Sequence, residues 1–474
     1  MEHLLKHIRH FLLLGFLTST YPMLYSAAPD VQLKKEVWIV VFVHGIMGIA
    51  PHINLQNIGL FVRDELVDTV YARAVNRMRK DTFFFKDQPM QDVGFLPIDL
   101  SEAQIIGNAA ALFAYLYDRI DAAVSPVVHH NVFYTYGWSG LLSRYQRYIE
   151  SEGLLLGLHQ VVESYKAQGI VPKIRLIGYS HGGNVCLQLA RMHEDCYQDM
   201  DIVIDELVLV GMPVQRESDI YVASPLFKRV YNIFSHQDMI QKLDFFSCNQ
   251  FLSNRQFTSR RSFRVPHKVS QINIKVSRLK KSRMCREKMV ALTQNGCATV
   301  NRSGQKRLLR DASPGHIELW LFGWTSDKYR DYFPLHPLPT ALFIPYLINI
   351  AESYEDEIYN PHPCTIDLRP ELGYTLVSQR TTRFGCFTYQ IPFIDEALFQ
   401  DLCDEAQAVC VTEMTKQSYQ EHICTALREA CKEYDTAKQP LPCKAKKGRH
   451  KYNRRKHKKA RALPSHYKFL EPLS

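Results

Sequence analysis

The strongest constraint on this chain is the stretch from Lys173 to Ala190, KIRLIGYSHGGNVCLQLA. A short apolar ladder runs into Gly178-Tyr179-Ser180-His181-Gly182-Gly183 and leaves it as a helical pattern. A strand that hands over to a helix within so few residues must turn so sharply that the positions two before and two after the serine have no room for a side chain. Gly178 and Gly182 stand at those positions. Such a turn pushes the serine hydroxyl clear of the backbone and points the N–H groups and the positive dipole end of the next helix at the same place.

The rest of the chain sets this turn in a parallel sheet. Val37 to Val43 is a continuous, β-branched apolar run, the pattern of a strand buried on both faces, and it ends in HGIMG, residues 44 to 48. Further strands are predicted at NVFYTY from Asn131, at Ile174 to Ile177, in VIDELVLVG ending at Gly211, and in RVYNIFS ending at Ser235. Helical lengths between them, such as the pattern ending at Gly169, predict an α/β class with a mostly parallel central sheet. In such sheets the site lies at the carboxyl ends of the strands. Two helical patterns, 55 to 79 and 102 to 123, exceed what one crossover needs and predict an insertion at about 80–130 that caps the site.

Beyond Trp324 the pattern changes to a Pro-punctuated apolar segment, a strand pair near 371 to 391, and a helical stretch from Asp395. Cys403 and Cys410 are seven apart, as are Cys424 and Cys431, so each pair falls on one helix face. Ser418 and Glu421 have capping-box spacing for the second helix. The expectation is two helices stapled Cys403 to Cys431 and Cys410 to Cys424, with four buried free thiols as the alternative. The staple requires an oxidising compartment.

The N-terminus speaks for such a compartment. A basic start (Lys6, Arg9), a short apolar run from Phe11 to Leu17, Pro22, and then Ser26, Ala27 and Ala28 form the layout of a signal peptide for export, and the run is too short to span a bilayer. The predicted organisation is a leader at 1–28, a catalytic domain at 33–355 with a basic insertion at about 277–310, a Cys-rich, largely helical accessory region at 356–443, and a basic disordered tail at 444–474.

With 46% apolar and 22% charged residues the chain is globular, neither disordered nor polytopic. Its net charge of +10 is local. Residues 444–461 hold eleven Lys and Arg and no acid, and 255–310 hold sixteen against Glu287 alone, so the remainder is acidic. Either block suits an anionic membrane surface or another polyanion, or is simply solvated surface. Neither carries a folded or aromatic-interleaved recognition motif, so sequence-specific nucleic-acid binding is not expected.

GYSHGG, the upstream VHGIMG and the order Ser, Asp, His together resemble the α/β-hydrolase superfamily, in its lipase and esterase branch, over roughly residues 35 to 325. The resemblance implies an α/β-hydrolase fold and a serine esterase acting on carboxylic esters, lipid esters among them. Ser180 is then the nucleophile, with an oxyanion hole formed by the backbone N–H groups of Ile46 and His181. The acid is expected after the strand ending at Ser235, where Asp238 stands, with Asp219 and Asp244 as rivals. The base is expected later, on a loop: His316 in SPGHIELW, ahead of His267, which leads into the strand-like QINIKV. No metal or organic cofactor is required. A thioesterase or acyltransferase with the same triad, or a binding protein on this scaffold, is the alternative.

Overall fold

A strand is encoded wherever β-branched residues run without interruption, and in the computed structural model of the chain the longest such run is the centre of the molecule. The structure describes residues 36–47, 58–125, 127, 129–242, 253–279, 309–323, 333–353, 363–381, 385–411 and 414–438. The leader, most of the basic insertion and the basic tail lie outside them. The strands are β1 (Glu36–Val43), β2 (Gly94–Pro97), β3 (His129–Gly137), β4 (Lys173–Tyr179), β5 (Ile204–Val210), β6 (Phe227–Phe234), β7 (Val269–Leu279), β8 (Leu309–Asp311), β9 (Cys364–Arg369), β10 (Tyr374–Thr381) and β11 (Gly385–Pro392). The helices are α1 (Ile58–Arg63), α2 (Val70–Lys80), α3 (Ala109–Val124), α4 (Arg144–Lys166), α5 (His181–Cys196), α6 (Ile344–Ser353), α7 (Glu396–Val409) and α8 (Lys416–Lys438).

All the strands join one sheet in the order β11-β10-β9-β7-β6-β5-β4-β1-β3-β2, with β8 paired to β7. From β3 to β9 the pairings are parallel; β2, β8, β10 and β11 join antiparallel at the margins. The sheet is thus mixed, mostly parallel, and flanked by helices. The alternation along β1 shows why both faces must be covered: Trp38, Val40 and Phe42 enter one apolar core with α3, α6 and α7, while Ile39, Val41 and Val43 enter the other with α4 and α5. Because β1 lies between β3 and β4, the strand order reverses there, which places a topological switch point at the carboxyl ends of β1 and β4.

Three expectations are corrected. The stretch at about 80–130 is not simply an insertion over the sheet: α3 is a core helix, with Leu112, Phe113, Leu116 and Tyr117 buried under β1, and β2 extends the sheet edge. Residues 356–443 are not a separate accessory region, since β9 pairs in parallel with β7 and the described residues form one compact unit. The cysteine staple is absent: Cys403, Cys410, Cys424 and Cys431 are free. The two helices go to different partners. α7 packs on α3 with Cys403 buried, joined by Arg119 to Asp401 and Glu405, whereas α8 lies along α2, joined by Arg77 to Glu429 and Glu433, with Cys424 and Cys431 exposed.

The start of α8 also differs from the predicted capping box. Thr415 Oγ1 accepts from the Ser418 N–H at 3.1 Å while Ser418 Oγ accepts from the Thr415 N–H at 2.9 Å, so Ser418 is the inner partner of a reciprocal cap and not its first residue. Among the described residues no helix is long and apolar enough to cross a membrane.

Candidate active site

Ser180 is the single residue between β4 and α5, and its backbone has φ 51° and ψ −129°. That conformation costs a non-glycine residue on the order of 1–3 kcal/mol, so its surroundings must hold it. The Ser180 N–H donates to Val210 O at 2.9 Å, and glycines let the neighbouring chain close in. A Cβ on Gly182 would stand 2.2 Å from His44 O, and one on Gly178 would stand 2.6 Å from Gly183 Cα. A side chain at Gly182 would force α5 away from the end of β1, and one at Gly178 would force it away from β4.

The turn after β1 is fixed just as tightly. His44 is buried; its Nε2 accepts from the Trp138 N–H at 3.2 Å, its Nδ1 lies 2.7 Å from Gly45 O, and its carbonyl accepts from Trp138 Nε1 at 2.6 Å. Burial, and then the charge of Arg79, hold the His44 pKa well below the usual imidazole range, in keeping with a neutral ring that accepts at Nε2. The Met47 N–H donates to Gly140 O at 3.1 Å. Between these anchors lies Ile46, and a Cβ on Gly45 would stand 3.0 Å from Ser180 Cβ.

His316 arrives from the loop after β8. Its Nε2 is 2.9 Å from Ser180 Oγ and its Nδ1 is 2.7 Å from Asp238 Oδ2. With Nδ1 donating to the carboxylate, Nε2 is left to accept the serine proton. Asp238 follows β6 and is fully buried; its Oδ1 also accepts from the Gln241 N–H at 3.2 Å. Tyr179 steadies the other side of the histidine, donating from its hydroxyl to His316 O at 2.9 Å while its ring stacks on Trp320 with centroids 5.0 Å apart.

The structure therefore brings Ser180, His316 and Asp238 into one hydrogen-bonded line, with the Ile46 turn against it. His181, the first residue of α5, is buried, and burial followed by Arg147 and His316 hold its pKa well below normal. The rivals lie elsewhere. Asp219 is engaged by Arg260, whose Nη2 donates to Oδ1 at 2.9 Å; His267 is exposed ahead of β7; Asp244 falls outside the described residues.

Several residues of the site went unread in the sequence. Trp138 and Gly140 close the turn around His44 and Met47; the one signal was the GWSG run directly after a strand. Gly211, with φ +59°, sits behind the Asp238–His316 bond, where a Cβ would come 3.3 Å from Asp238 Oδ2 and 3.4 Å from His316 Nδ1. Gln241 and Arg255 hold the Asp238 loop; Gln241 left no signal in the sequence, and Arg255 was legible only as part of a basic block.

Among the described residues no group of three or more His, Cys, Asp or Glu side chains is placed to hold a metal ion. A groove of about 570 Å³ lies between α2 and α8, lined by Arg77, Lys80, Asp81 and His422 among others, and shares no residue with the Ser180 line. Ser180 itself is 3% exposed. No protein-family model matches this chain, and no curated protein matches it.

Proposed function

We propose that the chain is a serine hydrolase of the α/β-hydrolase type that cleaves carboxylic esters, lipid esters among them. The observation that carries this reading is the unbroken line from Ser180 Oγ through the His316 imidazole to Asp238, at 2.9 and 2.7 Å, built on a strained backbone position that a structural serine has no need to occupy.

In the proposed reaction Ser180 Oγ attacks the ester carbonyl carbon while His316 Nε2 takes the hydroxyl proton. Asp238 holds the ring with Nδ1–H turned inward and stabilises the imidazolium that forms. The N–H groups of Ile46 and His181 receive the negative oxygen of the tetrahedral intermediate. His316 then gives its proton to the departing alkoxide, the alcohol leaves, and an acyl-enzyme remains. Water attacks that ester, again with its proton passing to His316, and the acid is released as Ser180 recovers its hydrogen. Export is a further part of the proposal and rests on residues 1–28.

The test is intact mass after exposure to a fluorophosphonate. The expected result is one adduct on the wild type, none on Ser180→Ala, and labelling slowed at least 100-fold in His316→Ala. A folded wild type that takes no adduct overturns the reading. Hydrolysis of oxygen esters and thioesters by the labelled and unlabelled protein then separates the ester reading from the thioesterase one.

A further inference from the structure

The first residue of the basic block, Arg255, is not a solvated surface charge. It is 8% exposed and lies behind the Asp238 loop, where Nε donates to the main-chain carbonyl of Asp238 at 2.8 Å and Nη2 donates to the same oxygen. Its own backbone is fixed first. The fully buried Asn232 of β6 donates from Nδ2 to Arg255 O at 2.9 Å, and the preceding residue, Asn254, exchanges two backbone hydrogen bonds with Val214 at 2.8 and 3.1 Å. The guanidinium is thus held by the sheet and presented to one carbonyl.

A surface arginine needs none of this. Burying a guanidinium is costly unless a charge or strong acceptors lie close, and a carboxylate at 0% exposure has the same difficulty with the opposite sign. Burial lowers the Arg255 pKa and the charge of Asp238 opposes that shift, so the two groups are electrostatically coupled. We propose that Arg255 is a positioning residue of the Ser180 site: it clamps the carbonyl of Asp238 and supplies the positive charge that keeps a fully buried carboxylate in place behind His316. This rests on the hydrolase reading above.

The other groups facing this pair are Tyr179 from β4, His181 from α5, and Glu318 from the His316 loop, whose own pKa is raised chiefly by burial. They are common to the wild type and the Arg255 variants, so a change in pH dependence isolates the guanidinium. With the cation gone, the buried carboxylate is left unbalanced behind His316, and the pH dependence of labelling is expected to change.

The experiment is the rate of fluorophosphonate labelling across pH for wild type, Arg255→Met and Arg255→Lys, with folding checked by near-ultraviolet circular dichroism. The expected result is a 10-fold to 100-fold slower rate in Arg255→Met, about the loss that follows slight misplacement of a catalytic group. Its pH midpoint should move upward by about 0.5–1 unit. Arg255→Lys keeps the charge with fewer donors, so it should be slowed but retain the wild-type midpoint. A residue serving structure alone would lower the yield or the rate of both variants without moving either midpoint. Should Arg255→Met fail to fold, Arg255→Gln keeps a donor without the charge and must show the same upward shift. A folded neutral variant with the wild-type midpoint overturns the assignment while leaving the hydrolase reading intact. Absence of an adduct on the wild type overturns the hydrolase reading, and the role of Arg255 falls with it.

Discussion

The sheet carries a histidine–carboxylate pair at each end, the carboxylate buried in both. At the carboxyl ends of the strands His316 meets Asp238 at 2.7 Å; at the amino ends His129 Nε2 meets Asp121 Oδ2 at 2.5 Å. Distance alone does not tell them apart. Asp121 is saturated, since Oδ2 also accepts from Asn131 at 2.8 Å and Oδ1 lies 3.5 Å from Arg175, which in turn holds Glu206 at 2.5 Å. The free face of His129 goes to Val127 O at 3.0 Å. Both nitrogens of His129 and both oxygens of Asp121 are thus engaged, and the pair joins α3 to β3 and β4. At the other end His316 turns its second nitrogen to a strained serine. The two pairs therefore differ in what the far nitrogen of the histidine meets, a backbone carbonyl at one end and a serine hydroxyl at the other.

That contrast can be broken most sharply by paired neutral substitutions. Asp238→Asn is expected to slow labelling of Ser180 by about 10³–10⁴-fold, because an amide cannot hold Nδ1–H inward. Asp121→Asn should leave the labelling rate of folded protein at the wild-type value. Stopped-flow labelling of both decides the matter, and equal losses would erase the distinction between the two ends. In stability the order reverses: Asp121→Asn leaves part of the Arg175 charge unbalanced and is expected to cost roughly 2–4 kcal/mol in urea unfolding, more than Asp238→Asn.

The smallest effect is the most diagnostic. Asp121 raises the pKa of His129 above its ordinary value, its hydrogen bond being the larger cause. A histidine with a raised folded-state pKa adds stability that is complete below the ordinary value near 6.5 and is lost as pH rises through the folded-state pKa. Replacing it by His129→Asn should therefore cost stability at pH 5.5 and markedly less at pH 8.5, with labelling unaffected. A cost independent of pH would mean that His129 acts by packing alone, against Trp38 6.1 Å away.

Much of the Ser180 end was legible beforehand because its requirements are local. A strand, two glycines around a serine, a second strand ending in His-Gly, and an acid and a histidine in order on later loops are all contiguous patterns. The stretch around Arg255 was legible only as charge. Composition could not distinguish an arginine clamped to the Asp238 carbonyl from one in solvent, because the difference lies in Asn232, Val214 and Asp238, residues 17 or more positions away. The capping of α8 failed for a smaller reason: Thr415 and Ser418 each accept the other's backbone N–H, and spacing alone cannot rank two hydroxyls three residues apart.

What the sequence by itself determined, then, were features whose energetics close within a few residues: the strands as β-branched runs, the turn at Ser180 because only glycine fits beside it, and the α/β class that follows from their alternation. The tertiary structure alone decided which helix covers which face, that β9 to β11 continue the sheet, that the cysteine-bearing helices α7 and α8 part company, and that a buried arginine stands behind Asp238. The physical reason is range. Backbone sterics and periodicity act between neighbours, whereas the burial of apolar faces and the balancing of buried charge depend on whatever the rest of the chain brings alongside.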